Sequence, residues 1–95
     1  MIQIIAEAKI EEYGKFIAVF TTKGKELRAK HGSTRCVVFR NPADPNLIHL
    51  VFDWESKEKF EGFFADPLTR ETMKESGTIA PPKFTIVERI GELPA

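Results

Sequence analysis

His49 is the one histidine set inside a strand-like run, "LIHLVFDW", and a near-neutral imidazole is the natural general base or metal ligand. No second His, Cys or carboxylate stands at a ligand-like spacing from it, so a metal site has no support. A lone histidine in a strand more often finds a structural hydrogen-bond partner than does chemistry. Arg35 and Arg28 each offer a guanidinium whose parallel donors can hold a carboxylate or enolate oxygen, although surface arginines outnumber functional ones. Trp54 ends the same run with a flat apolar face and one N–H donor, suited to stacking an aromatic ligand. Phe20, Phe52, Phe60 and Phe64 would complete that wall. The competing reading is ordinary core, because eight phenylalanines in 95 residues must pack somewhere. The candidates are therefore His49 and Arg35 for catalysis, and Trp54, Phe20, Phe52, Phe60 and Phe64 for substrate binding.

Other patterns carry less. Cys36, the single cysteine, excludes an internal disulfide framework, fits a reducing, cytoplasmic compartment and reads as an inert packing residue. The Glu11–Glu12 pair suits the first turn of a helix. There is no glycine-rich nucleotide loop, no Ser-His-Asp pattern and no basic-aromatic patch. Fourteen Lys and Arg balance fourteen Asp and Glu, which removes the electrostatic drive for nucleic-acid binding. No apolar run approaches the roughly 20 residues of a membrane span. Gln3 and Glu7 interrupt the apolar N-terminal stretch, which does not read as a signal peptide.

These residues need elements to position them. "IQIIAEAKI" (2–10) alternates as a strand does. Phe16, Val19, Phe20, Lys23 and Leu27 then recur at three- and four-residue steps, predicting one amphipathic helix from Glu11 that ends near Gly32. Gly14 and Gly24 weaken it by about 1 kcal/mol each. "STRCVVFR" (33–40) and "LIHLVFDW" (47–54) read as a hairpin around the turn residues 41–46. Ser56 caps a helix carrying Phe60, Phe63 and Phe64. Asp66 caps a second, with Pro67 at its first position and Gly77 after its end. "KFTIVERI" (83–90) is the last strand. The length predicts a single domain over 1–95, burying only about 60–70% of the unfolded surface.

The order is βαββαβ, a ferredoxin-like α+β arrangement with an antiparallel four-stranded sheet and helices on one face. Parity assigns Ile4, Phe39, Leu50, Phe52, Trp54 and Ile86 to the helices. It leaves Ile5, Glu7, Cys36, Val38, Arg40, His49, Val51, Asp53, Val87 and Arg89 on the other side. That side is too apolar to be left wet and too polar to be left dry. Packing two such sheets together answers both demands, so the expected partner is a second copy, through the sheet face. A monomer with a few exposed valines is the plainer alternative.

Four stretches, in this order and spacing, carry a resemblance: "VFRNPADPN", "FDWES" entering a Phe-rich helix, "ADPLTRETMKESG" and "APPKFTIVE". In them the chain resembles the dimeric α/β-barrel superfamily, in its antibiotic-biosynthesis-monooxygenase-like and cyclase branch. The resemblance implies a ferredoxin-like subunit, dimerisation through the sheet, and a pocket between sheet and helices. It also implies cofactor-independent oxygenation or cyclisation of a small aromatic or acidic compound, with no cofactor, and Trp54 in the position of a pocket tryptophan. The alternative is a non-catalytic dimeric binding or accessory protein. Haem-degrading members of that superfamily add an Asn on the first strand and a His on the helix after the capping Asp. Ala6 or Glu7, and Thr72 or Met73, stand there instead, so that activity does not carry over.

Overall fold

The computed structural model describes residues 1–95. Its elements are β1 (Ile2–Lys9), α1 (Tyr13–Phe20), α2 (Lys23–Lys30), β2 (Ser33–Asn41), β3 (Asp44–Trp54), α3 (Lys57–Ala65), α4 (Pro67–Glu75) and β4 (Lys83–Val87). The four strands form one antiparallel sheet in the order β2-β3-β1-β4, with the helices over one face. This is the expected α+β, ferredoxin-like arrangement.

The long helix expected from Glu11 is two short ones. Thr21 and Thr22 turn their hydroxyls back onto the carbonyls of Ile17 and Ala18, both at 2.7 Å, and the helical path breaks there. The hairpin is tighter than its turn chemistry implied. Asn41 pairs with Asp44, so only Pro42 and Ala43 lie between the strands. Asn41 Oδ1 accepts from the Ala43 amide at 2.9 Å and fixes that turn. Pro45 is tolerated in β3 because β1 pairs with that strand only from Leu47 onward. β4 stops at Val87, opposite Gln3, where only Ile2 of β1 remains to pair with. The caps lie where the sequence put them: Ser56 accepts from the Lys59 amide at 3.2 Å, and Asp66 from the Leu68 amide at 3.0 Å. Gly32 and Gly77 take φ of 94° and 78°, the left-handed conformation that ends α2 and follows α4.

Strand parity holds for β1, β3 and β4 and fails for β2. A register shift lies between Ser33, opposite Trp54, and Arg35, opposite Asp53. The extra residue reverses every side chain after it. Cys36, Val38 and Arg40 therefore face the helices, and Phe39 joins Arg35 and Val37 on the open side, half-exposed. The core is one cluster built on Ile4, Ala6, Ile48, Leu50, Phe52 and Trp54, covered by Phe16, Leu27, Phe60 and Phe63.

Candidate functional site

The sheet and the helices do not close completely over one another. A cavity of about 70 Å³ lies between Phe52 and Leu50 of β3, Phe84 of β4, Phe16 and Phe20 of α1, Arg28 of α2, and Thr72 and Met73 of α4. The stagger between α1 and α2, set at Thr21–Thr22, brings Phe20 and Arg28 together at one end. The Arg28 guanidinium lies 3.8 Å above the Phe20 ring centroid, a cation–π stack. Gly24 makes room for it: a β-carbon at that position would come within 2.9 Å of Arg28 Nη1.

Arg28 is half-buried, and burial pulls its guanidinium below its ordinary value, with the Cys36 sulfur opposing the shift. Its side chain takes part in none of the eight ion pairs of the chain and in no hydrogen bond. It is a partly desolvated cation with an aromatic neighbour and no anion. The cavity's other polar groups are hydroxyls. Thr69 donates to the Phe63 carbonyl and Ser76 to that of Met73, both at 2.7 Å. Thr72 makes no such bond, so Arg28 and Thr72 are the groups free to meet a ligand.

The candidate residues of the sequence divide among three places. Phe20 and Phe52 line the cavity, 6.3 Å apart between ring centroids. Trp54 and Phe60 do not line it. Trp54 is fully buried, with Phe63 at 4.9 Å and Phe60 at 5.1 Å, and its Nε1 donates to the His31 carbonyl at 2.7 Å. The tryptophan and Phe60 form solid core behind the cavity. Phe64 lies on the outer side of that layer against Phe84, partly exposed. His49 and Arg35 are on the open face of the sheet, across its full thickness from the cavity. His49 is held by Asn41, 3.2 Å from Nε2, and its Nδ1 faces Glu7 at 3.8 Å. Arg35 borders an open groove with Gln3, Val37, Phe39, Val51 and Asp53. The geometry thus brings neither proposed catalytic residue to the cavity.

Arg28, given only in passing by the sequence, is the charged residue that reaches the cavity. Its signal was its spacing: it follows Phe20 by eight residues and Gly24 by four, on the same stripe. Met73 and Thr72, at the position where the haem-degrading pattern would have a His, line the cavity too. His31 links three elements, with its carbonyl on Trp54 and its Nε2 2.9 Å from Asp66 Oδ2 at the cap of α4. That hydrogen bond, and next the Leu68 amide, holds the Asp66 carboxyl below the usual range. Cys36 is pushed up to about 11, chiefly by burial. No three His, Cys, Asp or Glu side chains gather to form a metal site, and no helix is long and apolar enough to cross a membrane.

This sheet order, with paired helices on one face, is the fold of antibiotic biosynthesis monooxygenase-like proteins. No protein-family model matches the sequence, and no curated protein matches it either. Solved structures do. SnoaB, a cofactor-independent oxygenase from Streptomyces nogalater, superposes with a TM-score of 0.78 at 14% identity, over 99% of this chain and 97% of that one. A candidate antibiotic biosynthesis monooxygenase from Bordetella bronchiseptica gives 0.77 at 20% identity, over 94% and 96%. A similar candidate from Nitrosomonas europaea gives 0.68 at 13%, over 96% and 100%. At these identities the likeness is one of fold.

Proposed function

We propose that this protein is a cofactor-independent monooxygenase- or cyclase-like enzyme that takes a small aromatic or acidic compound into the space between sheet and helices. One observation carries the reading: an apolar cavity with an unpaired, half-buried guanidinium, Arg28, in its wall. In this chemistry the substrate, deprotonated to a phenolate or carbanion, itself reduces oxygen. The protein contributes orientation, exclusion of water and stabilisation of the anion. Arg28 meets the last requirement better than Arg35 or His49, which lie on the far side of the sheet. Phe20 and Phe52 would hold the ring, with Trp54 and Phe60 stiffening the wall from behind. Residues 1–95 would act as one domain, in the reducing cytoplasm that a single half-buried thiol suits.

Oxygen uptake against a panel of quinols and polyphenols, without added metal or flavin, tests this reading. Uptake by the wild type that falls about tenfold or more in Arg28→Met supports it, since an oxyanion donor is worth at least that much. A flat trace across the panel would favour a non-catalytic binding or accessory protein. That second reading has its own support. At about 70 Å³ the cavity is smaller than the roughly 150 Å³ that accommodates benzene, and no histidine or carboxylate lines it.

The same reading includes a homodimer through the open face of the sheet. Ile5 and Phe39 are exposed there among Arg35, Arg89 and Asp53, a surface whose charges can answer one another across a two-fold axis. Sedimentation should give twice 10.8 kDa at micromolar protein, and Phe39→Asp should return the particle to one chain.

A further inference from the structure

Next to the cavity, and sharing Met73, Thr78 and Pro82 with it, lies an open cleft of about 440 Å³. One wall is α4, which contributes Arg70, Met73 and Lys74; the other is the segment Thr78–Pro82. That second wall is held in place. The Thr78 amide donates to the Met73 carbonyl at 3.0 Å and the Ile79 amide to that of Lys9 at 2.9 Å, while Pro81 and Pro82 fix their own φ. The cleft's lips are apolar and bare: Phe64 is 40% exposed and Ile79 63%.

Arg70 and Lys74 stand one turn apart on α4, and neither is among the chain's ion pairs. Two like charges at that spacing oppose the helix rather than support it. Other cations lack an ion pair too, among them Lys25, Lys57 and Lys83; what sets these two apart is that both border one cleft. Two unmatched cations, two exposed apolar side chains and a volume within the roughly 300–1,000 Å³ of ligand pockets meet in one place.

We propose that cavity and cleft are two compartments of one site, and that its ligand is an amphipathic carboxylate. The apolar head enters the cavity against Phe52 and Phe84. The carboxylate tail stays in the cleft on Arg70 and Lys74, where the arginine fork can take both oxygens. Met73, unbranched and adaptable, is the movable part of the partition. Its displacement joins the two spaces and removes the size conflict of a cavity too small for a ring. The proposal rests on the reading of the cavity as a binding site and adds to it the class of compound bound.

The test is a titration of the whole chain, followed by amide chemical shifts and calorimetry. The probes are 4-phenylbutyrate, its neutral counterpart 4-phenylbutanol, and butyrate. The expected result is that 4-phenylbutyrate shifts the amides of both Phe52 and Phe84 and binds at least tenfold more tightly than the other two. Arg70→Gln/Lys74→Gln, at two exposed positions, should abolish that advantage while leaving 4-phenylbutanol binding unchanged. If 4-phenylbutyrate reaches Phe52 and Phe84 with equal affinity in the double variant, the two-compartment site is wrong and the cavity reading survives. If no probe moves those amides, both are wrong.

Discussion

β3 sends Leu50, Phe52 and Trp54 toward the helices and His49, Val51 and Asp53 to the open side, so successive residues of one strand meet different surroundings. The open face holds the side chains that look most chemical: a histidine, two arginines, an aspartate. Water or a partner can reach all of them, and His49 already has Asn41 and Glu7. The covered face is almost wholly apolar, yet it has the cavity and, in the cavity wall, Arg28 without an anion. The contrast teaches that enclosure, more than residue type, decides where a side chain can act. A guanidinium in water is screened, whereas one against Phe20 in a partly desolvated wall exerts its charge undiluted.

Four substitutions or measurements would break or sharpen that contrast. The largest effect belongs to Trp54→Ala, which removes the anchor of the covered face and its bond to the His31 carbonyl. A loss of about 3–5 kcal/mol is expected by denaturant unfolding, which is a large part of the stability of a chain this short. A loss below about 1 kcal/mol would show that Trp54 is not core. Cys36 tests which way β2 faces. With its thiol raised from 9.0 to about 11, alkylation by iodoacetamide near pH 8 should run about a hundredfold slower than for an ordinary thiol. Arg28→Met, which removes the nearby positive charge, should slow it further. Ordinary reactivity would return Cys36 to the open face.

The third comparison sets Arg28 against Arg35. Arg28→Met should cost oxygen uptake about tenfold or more while leaving the unfolding midpoint level or slightly higher, since it removes an unpaired, half-buried charge. Arg35→Met should leave catalysis unchanged and weaken self-association. If the two variants exchange phenotypes, the functional face is the other one.

The smallest effect is that of pH on the His31–Asp66 link. The Asp66 carboxyl is held below its ordinary value, so its contribution to stability is complete above about pH 4 and is lost as the pH falls through its folded value. Asp66→Asn keeps an acceptor at the α4 cap but removes the charge. The variant should be less stable at neutral pH, and the gap should narrow toward pH 2. A gap that stays constant across that range would mean the carboxylate charge contributes nothing.

Much of this was legible in the residues. The strand order, the caps at Ser56 and Asp66, the buried stripe of β3 and the fold class follow from alternation, helical spacing and turn chemistry, which act over a few residues. Phe20 and Phe52 meet with ring centroids 6.3 Å apart, since helix and strand stripes of matching polarity pack together. What failed did so at single residues with long consequences. One extra residue between Ser33 and Arg35 reversed β2, and two threonine hydroxyls divided a helix that periodicity had joined.

Sequence alone therefore determined which segments are strands or helices and, outside β2, which stripe each one buries, because backbone preferences and apolar periodicity are local. The tertiary structure decided the rest. It set on which side of the sheet Arg35 stands, left Arg28 without a counter-ion, and made Trp54 a solid support with the open space beside Phe52. Those outcomes depend on register and on how four helices fill the area above one sheet, and both are fixed by contacts between residues far apart in the chain.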